Sequence, residues 1–268
     1  MLKDITLGQY FPGNSIAHKL DPRTKILLVT LYIIALFSAK GWMGYAVMAV
    51  TLAACVKVSH VGLRALVRGL KPLVFIIAFT GILNMFFTPD THYLWEWGIL
   101  RVSVKGIENA LFMVIRIMLL VMGTFLMTYT TSPIRLTDGL ESLLNPLKKI
   151  HVPVHELAMM MAIALRFIPT LIEETDKIMS AQKARGADFE SGNLIQKAKA
   201  MLPILVPLFI SAFRRADELA TAMECRCYHG GEGRTKLHVL KYQRRDYVAL
   251  AGGVVILVLV VALQRLGA

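Results

Sequence analysis

Acidic residues are scarce in this chain of 268 residues: 18 Asp and Glu face 30 Lys and Arg, which leaves a formal net charge of +12. Cysteine is scarcer still. Of the three, Cys55 lies in an apolar run, while Cys225 and Cys227 stand one residue apart. That odd count has no spacing suggestive of a disulfide framework and fits a reducing, cytoplasm-facing location. Polar stretches are also short, because 56% of the residues are hydrophobic against the ~45–50% of an ordinary soluble domain. A soluble globular protein is therefore excluded, and a polytopic membrane protein is expected. Residues 1–25 are mixed and polar, and no small-residue cleavage site ends the apolar run that follows, so no signal peptide is expected.

Catalytic patterns are missing as well. His155-Glu156 opens like a zinc-protease motif, but the fourth residue after His155 is Met159, so the second imidazole is absent. Cys225, Cys227 and His229 lack a matching second pair of metal ligands. Gly230-Gly-Glu-Gly233 shares only glycine content with a phosphate loop, having no preceding strand and no Gly-Lys-Ser/Thr ending. The expectation is a non-enzyme that holds no metal and no cofactor. Its Lys and Arg flank apolar runs, the pattern of loops held against an anionic membrane leaflet, so nucleic acid is not an expected partner and the lipid bilayer is.

What is present is a series of apolar runs. Leu20-Asp21-Pro22 predicts a helix start, with Asp21 as N-cap and Pro22 in the first turn. Uncharged runs at 26–39 and 42–56 predict a tight hairpin of two spans; a third run covers 72–89 and a fourth 106–129. The fourth contains Arg116, an intramembrane charge that is either a functional group or a side chain that sits near a bundle interior or pairs with Glu108 two turns earlier. Ser132-Pro133 starts a further helix, whose stripe of Ile134, Leu140, Leu143, Leu144 and Leu147 opposes Arg135, Asp138, Glu141 and Lys148. It reads as a short helix on the membrane surface. The last span is 247–263.

Between Pro153 and Tyr228 the apolar runs 157–165 and 201–213 are each short for a span. Each continues into a charged, helix-forming stretch, 173–185 and 214–226, so two long helices with polar tips in water are expected. Ser191-Gly192-Asn193 is the turn between them. With five spans the N-terminus, the 57–71 loop and residues 131–246 lie on the cytoplasmic side and hold 25 of the 30 Lys and Arg. The domain boundaries expected are a four-span membrane domain at 1–131, a cytoplasmic domain at 132–246 and a final span at 247–268.

The charged stretches repeat one another. Asp176-Lys-Ile-Met-Ser-Ala-Gln-Lys-Ala-Arg185-Gly186 and Asp217-Glu-Leu-Ala-Thr-Ala-Met-Glu-Cys-Arg226-Cys227 share an Asp, a large aliphatic two residues on, a hydroxyl residue followed by Ala, and an Arg nine residues after the Asp. The plain reading of Ala184-Arg185-Gly186 is helix punctuation, a cation in the last turn and then glycine. That reading fits Arg226 less well, because Cys227 is not expected to take a left-handed conformation. Recurrence of the frame without the stop signal favours a shared binding role at Ala184, Arg185, Gly186, Cys225, Arg226 and Cys227. The methionines along both helices, Met159, Met160, Met161, Met179, Met201 and Met223, are either adaptable contact surface or core filling.

Together with the opening Gly8-Gln-Tyr-Phe-Pro12…His18-Lys-Leu-Asp-Pro-Arg-Thr-Lys25 and the later Ala222-Met-Glu-Cys-Arg-Cys-Tyr228, this repeat resembles the transmembrane T component of energy-coupling factor transporters, the EcfT or CbiQ-like family. The resemblance covers essentially the whole chain. It implies an all-α polytopic membrane protein with about five transmembrane helices plus long cytoplasmic amphipathic coupling helices, in the plasma membrane of a bacterium. It further implies a scaffold joining two related ABC ATPase subunits to a small substrate-binding membrane S component for uptake of a vitamin or micronutrient. The family's first Ala-Arg-Gly maps onto Ala184, Arg185 and Gly186 unchanged; the second maps onto Cys225, Arg226 and Cys227, where the Arg matches. A self-contained secondary transporter is the alternative, but it requires polar groups at the membrane midplane, where Arg116 and Asn84 are nearly alone.

Overall fold

The computed structural model describes residues 10–88, 93–97, 100–189, 193–230 and 239–265. Helices dominate: α1 (Ile16–Lys19), α2 (Pro22–Ser38), α3 (Gly41–Ser59), α4 (Leu63–Leu70), α5 (Val74–Phe87), α6 (Val104–Thr130), α7 (Pro133–Leu144), α8 (Val154–Ala184), α9 (Leu194–Cys225) and α10 (Arg244–Arg265). Strands β1 (Tyr93–Trp97) and β2 (Leu100–Ser103) pair antiparallel, Trp97 opposite Leu100 and Tyr93 opposite Ser103. This pair was not expected from the sequence, although the alternating aromatics Tyr93, Trp95 and Trp97 followed by a glycine are a short hairpin signal. The protein is an all-α polytopic membrane protein apart from this pair.

Among the described residues, six helices can cross a membrane by length and composition: α3, the stretch Leu63–Phe87 that joins α4 to α5, α6, α8, α9 from Ile195, and α10. The first expected span, α2, has 17 residues and rises roughly 26 Å, just short of that length. Helices α8 and α9 qualify because they continue well past their apolar runs, to 31 and 32 residues. Their prolines, Pro169, Pro203 and Pro207, sit inside unbroken helix.

The chain forms two compact units, one of residues 8–140 and 240–268, the other dominated by residues 141–239. In the first, α2, α3, α4, α6 and α10 enclose a core in which Leu36, Met48, Leu66 and Val260 are fully buried. Within a bilayer the hydrophobic effect does not drive such packing, and close approach at small residues does. A Cβ at Gly253 would meet Leu28 Cδ2 at 2.7 Å, so α10 and α2 touch where α10 has no side chain. Outward-facing Val50, Phe75 and Val255 are exposed apolar side chains, as lipid contact requires.

The charged N-terminal phrase closes one end of this unit. Asp21 caps α2 as expected, its Oδ1 accepting from Arg23 N at 2.9 Å, with Pro22 the first helical residue. Its own N–H donates to Asp246 Oδ1 at 2.8 Å, and Asp246 Oδ2 accepts from Gln243 N at 2.8 Å, so one buried carboxylate ties the starts of α2 and α10. Lys25 Nζ donates to Thr130 O at 2.8 Å and Thr131 Oγ1 at 3.1 Å at the end of α6. Because α2 and α10 start together, they run parallel, and at the other end Gln264 of α10 meets Ser38 O and Lys40 Nζ next to the α2–α3 turn.

Candidate functional site

The second unit is built on α8 and α9, and the two expected tips are their C-terminal ends. Arg185 caps α8. Gly186 N donates to Lys183 O at 3.0 Å and Ala187 N donates to Gln182 O at 3.0 Å, with Gly186 at φ +88°. This is the Schellman turn, in which a left-handed residue lets two amides satisfy carbonyls the helix leaves open. Arg226 caps α9 in the same way: Cys227 N donates to Glu224 O at 2.8 Å and Tyr228 N to Met223 O at 3.1 Å. Cys227 stands at φ +55°.

That last angle corrects the sequence reading. Cys227 does take the left-handed conformation, so the stop geometry recurs along with the Asp-to-Arg frame. A Cβ in that region costs about 1–2 kcal/mol, which two backbone hydrogen bonds and a further one from the His229 ring to Cys227 O, at 2.8 Å, offset. The frame and the stop recur together, as a turn of one geometry reached with glycine at one end and against conformational preference at the other.

All six expected site residues, Ala184, Arg185, Gly186, Cys225, Arg226 and Cys227, are exposed. Neither guanidinium, Arg185 or Arg226, has a hydrogen-bond or ion-pair partner among the described residues. The structure does not bring the two tips together. Across the pair, Glu174 takes an ion pair from Arg215 at 2.8 Å and a hydrogen bond from Ser211, while Gln182 Nε2 donates to Pro203 O at 3.4 Å. Pro207 has no N–H to give the carbonyl four residues earlier, so the Gln182 amide supplies the donor that Pro203 O lacks. These contacts match rising numbers on α8 with falling numbers on α9, so the helices run antiparallel. The tips therefore point to opposite ends of the pair, roughly 40 Å apart by helical rise.

The same register sets the charged stretch of α8 beside the apolar run of α9. Met201, Leu202, Leu205, Val206, Phe209, Ile210 and Phe213 are exposed along one face of α9, at the spacing of a single helical stripe. The clasp residues Glu174, Ser211, Arg215 and Gln182 were not singled out from sequence. Partners 21 to 41 positions apart leave no local signal, although an acid on one charged helix and a base on the next was the available hint.

A family model described as cobalt transport protein, CbiQ, matches residues 13–237. The chain belongs to the CbiQ and EcfT family. It is 57% identical over 250 residues to the energy-coupling factor transporter transmembrane protein EcfT of Clostridium kluyveri, with 93% of each chain covered. Against the protein of the same name from Ruminiclostridium cellulolyticum it is 52% identical over 264 residues, 98% of each. The Bacillus subtilis protein of that name is 45% identical over 264 residues, covering 98% of this chain and 100% of the relative. Family membership and the apolar helices make this a multi-pass membrane protein of the energy-coupling factor transporter class.

His155 Nδ1 lies 3.0 Å from Glu141 Oε1, a local side-chain contact. Arg116 is not paired with Glu108; its hydrogen-bond partner is Tyr45, Nε donating to Oη at 2.9 Å. Gly233 and the Ser191-Gly192 part of the expected turn lie outside the described residues, and Asn193 forms a capping box with Gln196 at the start of α9.

Proposed function

We propose that the chain is the membrane scaffold of an ATP-driven importer of the energy-coupling factor type. In this reading Arg185 and Arg226 each enter a groove of one of two related ABC ATPase subunits, and the apolar face of α9 bears on a substrate-binding membrane S component. The observation that carries the reading is the pair of equal turns, each offering an exposed guanidinium, without a partner among the described residues, at a helix end. A protein that must hold two similar partners needs two similar contacts, and a planar fork of donors suits carboxylate and carbonyl acceptors in a groove. Closure of the two ATPases would then move both ends of one clasped helix pair.

The antiparallel register supports placing α8 and α9 at the cytoplasmic membrane surface, although both meet the length of a span. In a transmembrane hairpin apolar runs face each other at one depth; here an apolar run faces a charged one. Five spans follow, α2, α3, α5 with its lead-in, α6 and α10, with the N-terminus and both tips inside. The substrate would be a vitamin or other micronutrient, and the chain itself would not hydrolyse ATP. The test is recovery of ATPase subunits on the tagged chain beside substrate uptake. Normal values for both in an Arg185→Ala/Arg226→Ala variant would leave the tips as helix punctuation. Single cysteines at Ser191 and Ala268, in a chain without native cysteines, test the orientation; labelling of Ser191 in intact cells by an impermeant reagent would overturn it.

A further inference from the structure

Arg116 sits mid-way along α6, about 18 Å of rise from its first residue, and lies level with the turn between α2 and α3. The rings around it come from either side of the α2–α3 turn: its Cζ is 5.7 Å from the Phe37 ring centroid and 5.8 Å from that of Tyr45. Tyr45 stacks on Phe112 at 5.1 Å, and Trp42 packs on Phe112 at 4.9 Å. The turn itself carries Lys40, whose Nζ lies 3.3 Å from the side-chain amide of Gln264, the penultimate residue of α10. Helix α6 thus overshoots α2, α3 and α10, with α5 alongside it (Gly81 against Val114, Gly106 against Met85 O), and Arg116 stands level with the end of α2 and the start of α3. Trp, Tyr and Lys gathered at such a level mark the boundary between hydrocarbon and head groups.

The guanidinium is half-buried and incompletely used. Of its five N–H groups, one donates to Tyr45 Oη, and no carboxylate reaches it among the described residues. Burying a cation without a counter-ion is costly, and the apolar rings that flank it cannot neutralise it. Phe37 and Trp42 remain 59% and 55% exposed on the same rim, so the open side of the guanidinium adjoins a surface made for acyl chains. An Arg fork held by one hydrogen bond and two ring faces is shaped for a phosphate.

We propose that Arg116, with Lys40 on the adjoining turn and the rings of Phe37, Trp42 and Tyr45, binds the phosphate of an anionic phospholipid head group at this level of the bundle. The exposed rings favour a lipid over free phosphate, since only a lipid would use them. Two cations favour an anionic head group over a zwitterionic one, whose ammonium would meet them. The site is independent of what the helix tips hold.

The test is native mass spectrometry of the full chain, delipidated in detergent and titrated with phosphatidylglycerol, phosphatidylcholine or inorganic phosphate. The wild type is expected to keep one phosphatidylglycerol more tightly than phosphatidylcholine. Arg116→Met should weaken that lipid by about tenfold or more, the loss of one charge-assisted contact set. Tyr45→Phe keeps the ring and its packing and should weaken it less, so the site remains testable if Arg116→Met does not fold. Lys148→Gln, a surface cation elsewhere, should leave the tight lipid in place; if it removes it, binding is bulk charge and the proposal fails. A wild type without head-group preference, or displacement of the lipid by inorganic phosphate, would also overturn it. So would unchanged lipid retention in Arg116→Met, including the case in which a co-purifying membrane protein is lost instead, which would assign the guanidinium to a partner carboxylate.

Discussion

The two helix ends make the same turn from different residues. At Gly186 the left-handed conformation is natural, and a Cβ there would meet nothing within 4 Å. At Cys227 the chain adopts it with a side chain present, at a cost of about 1–2 kcal/mol. A helix that only needed to stop could fray, or end on a different turn, at lower cost. That α9 ends as α8 does, with Arg at the cap in both, points to a demand for the shape of the tip itself.

Removing both arginines breaks that equivalence most completely. If each guanidinium makes desolvated, charge-assisted bonds, truncating one costs about 2–5 kcal/mol of docking. One remaining tip still holds a weakened complex, because two linked attachments bind more tightly than either alone. Arg185→Ala and Arg226→Ala should each recover less ATPase on the tagged chain, and the double variant close to none. Arg→Lys at either position separates docking from helix ending: lysine can still face the last carbonyls, whereas a groove built for a planar fork should reject it. Full recovery with lysine at both positions would count against docking.

A smaller effect is expected where the turn, rather than the arginine, is changed. Gly186→Ala places a Cβ in the left-handed region with open space around it, so its cost is conformational alone, about 1–2 kcal/mol. Faster hydrogen exchange at the 186 and 187 amides, with weaker ATPase recovery despite an intact Arg185, is the expected result. Unchanged recovery beside clearly faster exchange would show that the partner reads the arginine and not the shape.

Much of this architecture was legible because it is written locally. Asp21-Pro22 marked the start of α2, the Lys40-Gly41 break marked the first hairpin, and the apolar runs marked α3, α5, α6 and α10. The duplicated Asp-to-Arg frame marked both tips. What was misread depended on tertiary structure. Cys227 was judged by its own preference, while the backbone bonds of the turn and the His229 contact decided its conformation. For Arg116 helical spacing offered Glu108 as one possible partner, whereas its hydrogen bond goes to Tyr45 on α3. The antiparallel register of α8 and α9 rests on Glu174, Arg215, Ser211, Gln182 and an orphaned carbonyl beside Pro207, none of which announces its partner in sequence.

That register gives a third test, since it keeps the equivalent tips apart. Glu174→Ala removes the acceptor of both Ser211 and Arg215; Arg215 is partly exposed, so the loss is modest, about 1 kcal/mol or less. Spin labels at Ala187 and His229 should report a separation of roughly 40 Å, from helical rise, that broadens in the variant without unfolding either helix. A single short distance in the wild type would contradict the antiparallel pairing.

The smallest change runs the comparison in reverse. Cys227→Gly gives α9 the residue that α8 already has at this place, removing a Cβ from a left-handed position. Glycine also gains freedom in the unfolded chain, which offsets part of the benefit, so the turn should be stabilised by roughly 0.5–1 kcal/mol. Exchange at the 227 and 228 amides should slow, and ATPase recovery should stay as in the wild type if, as proposed, the cysteine contributes conformation and Arg226 the contact. A Cys227→Gly variant that folds with slower exchange but loses its ATPase would show that the thiol touches the partner. The second tip would then be a different site from the first, and the equivalence of the two ends would hold for the backbone only.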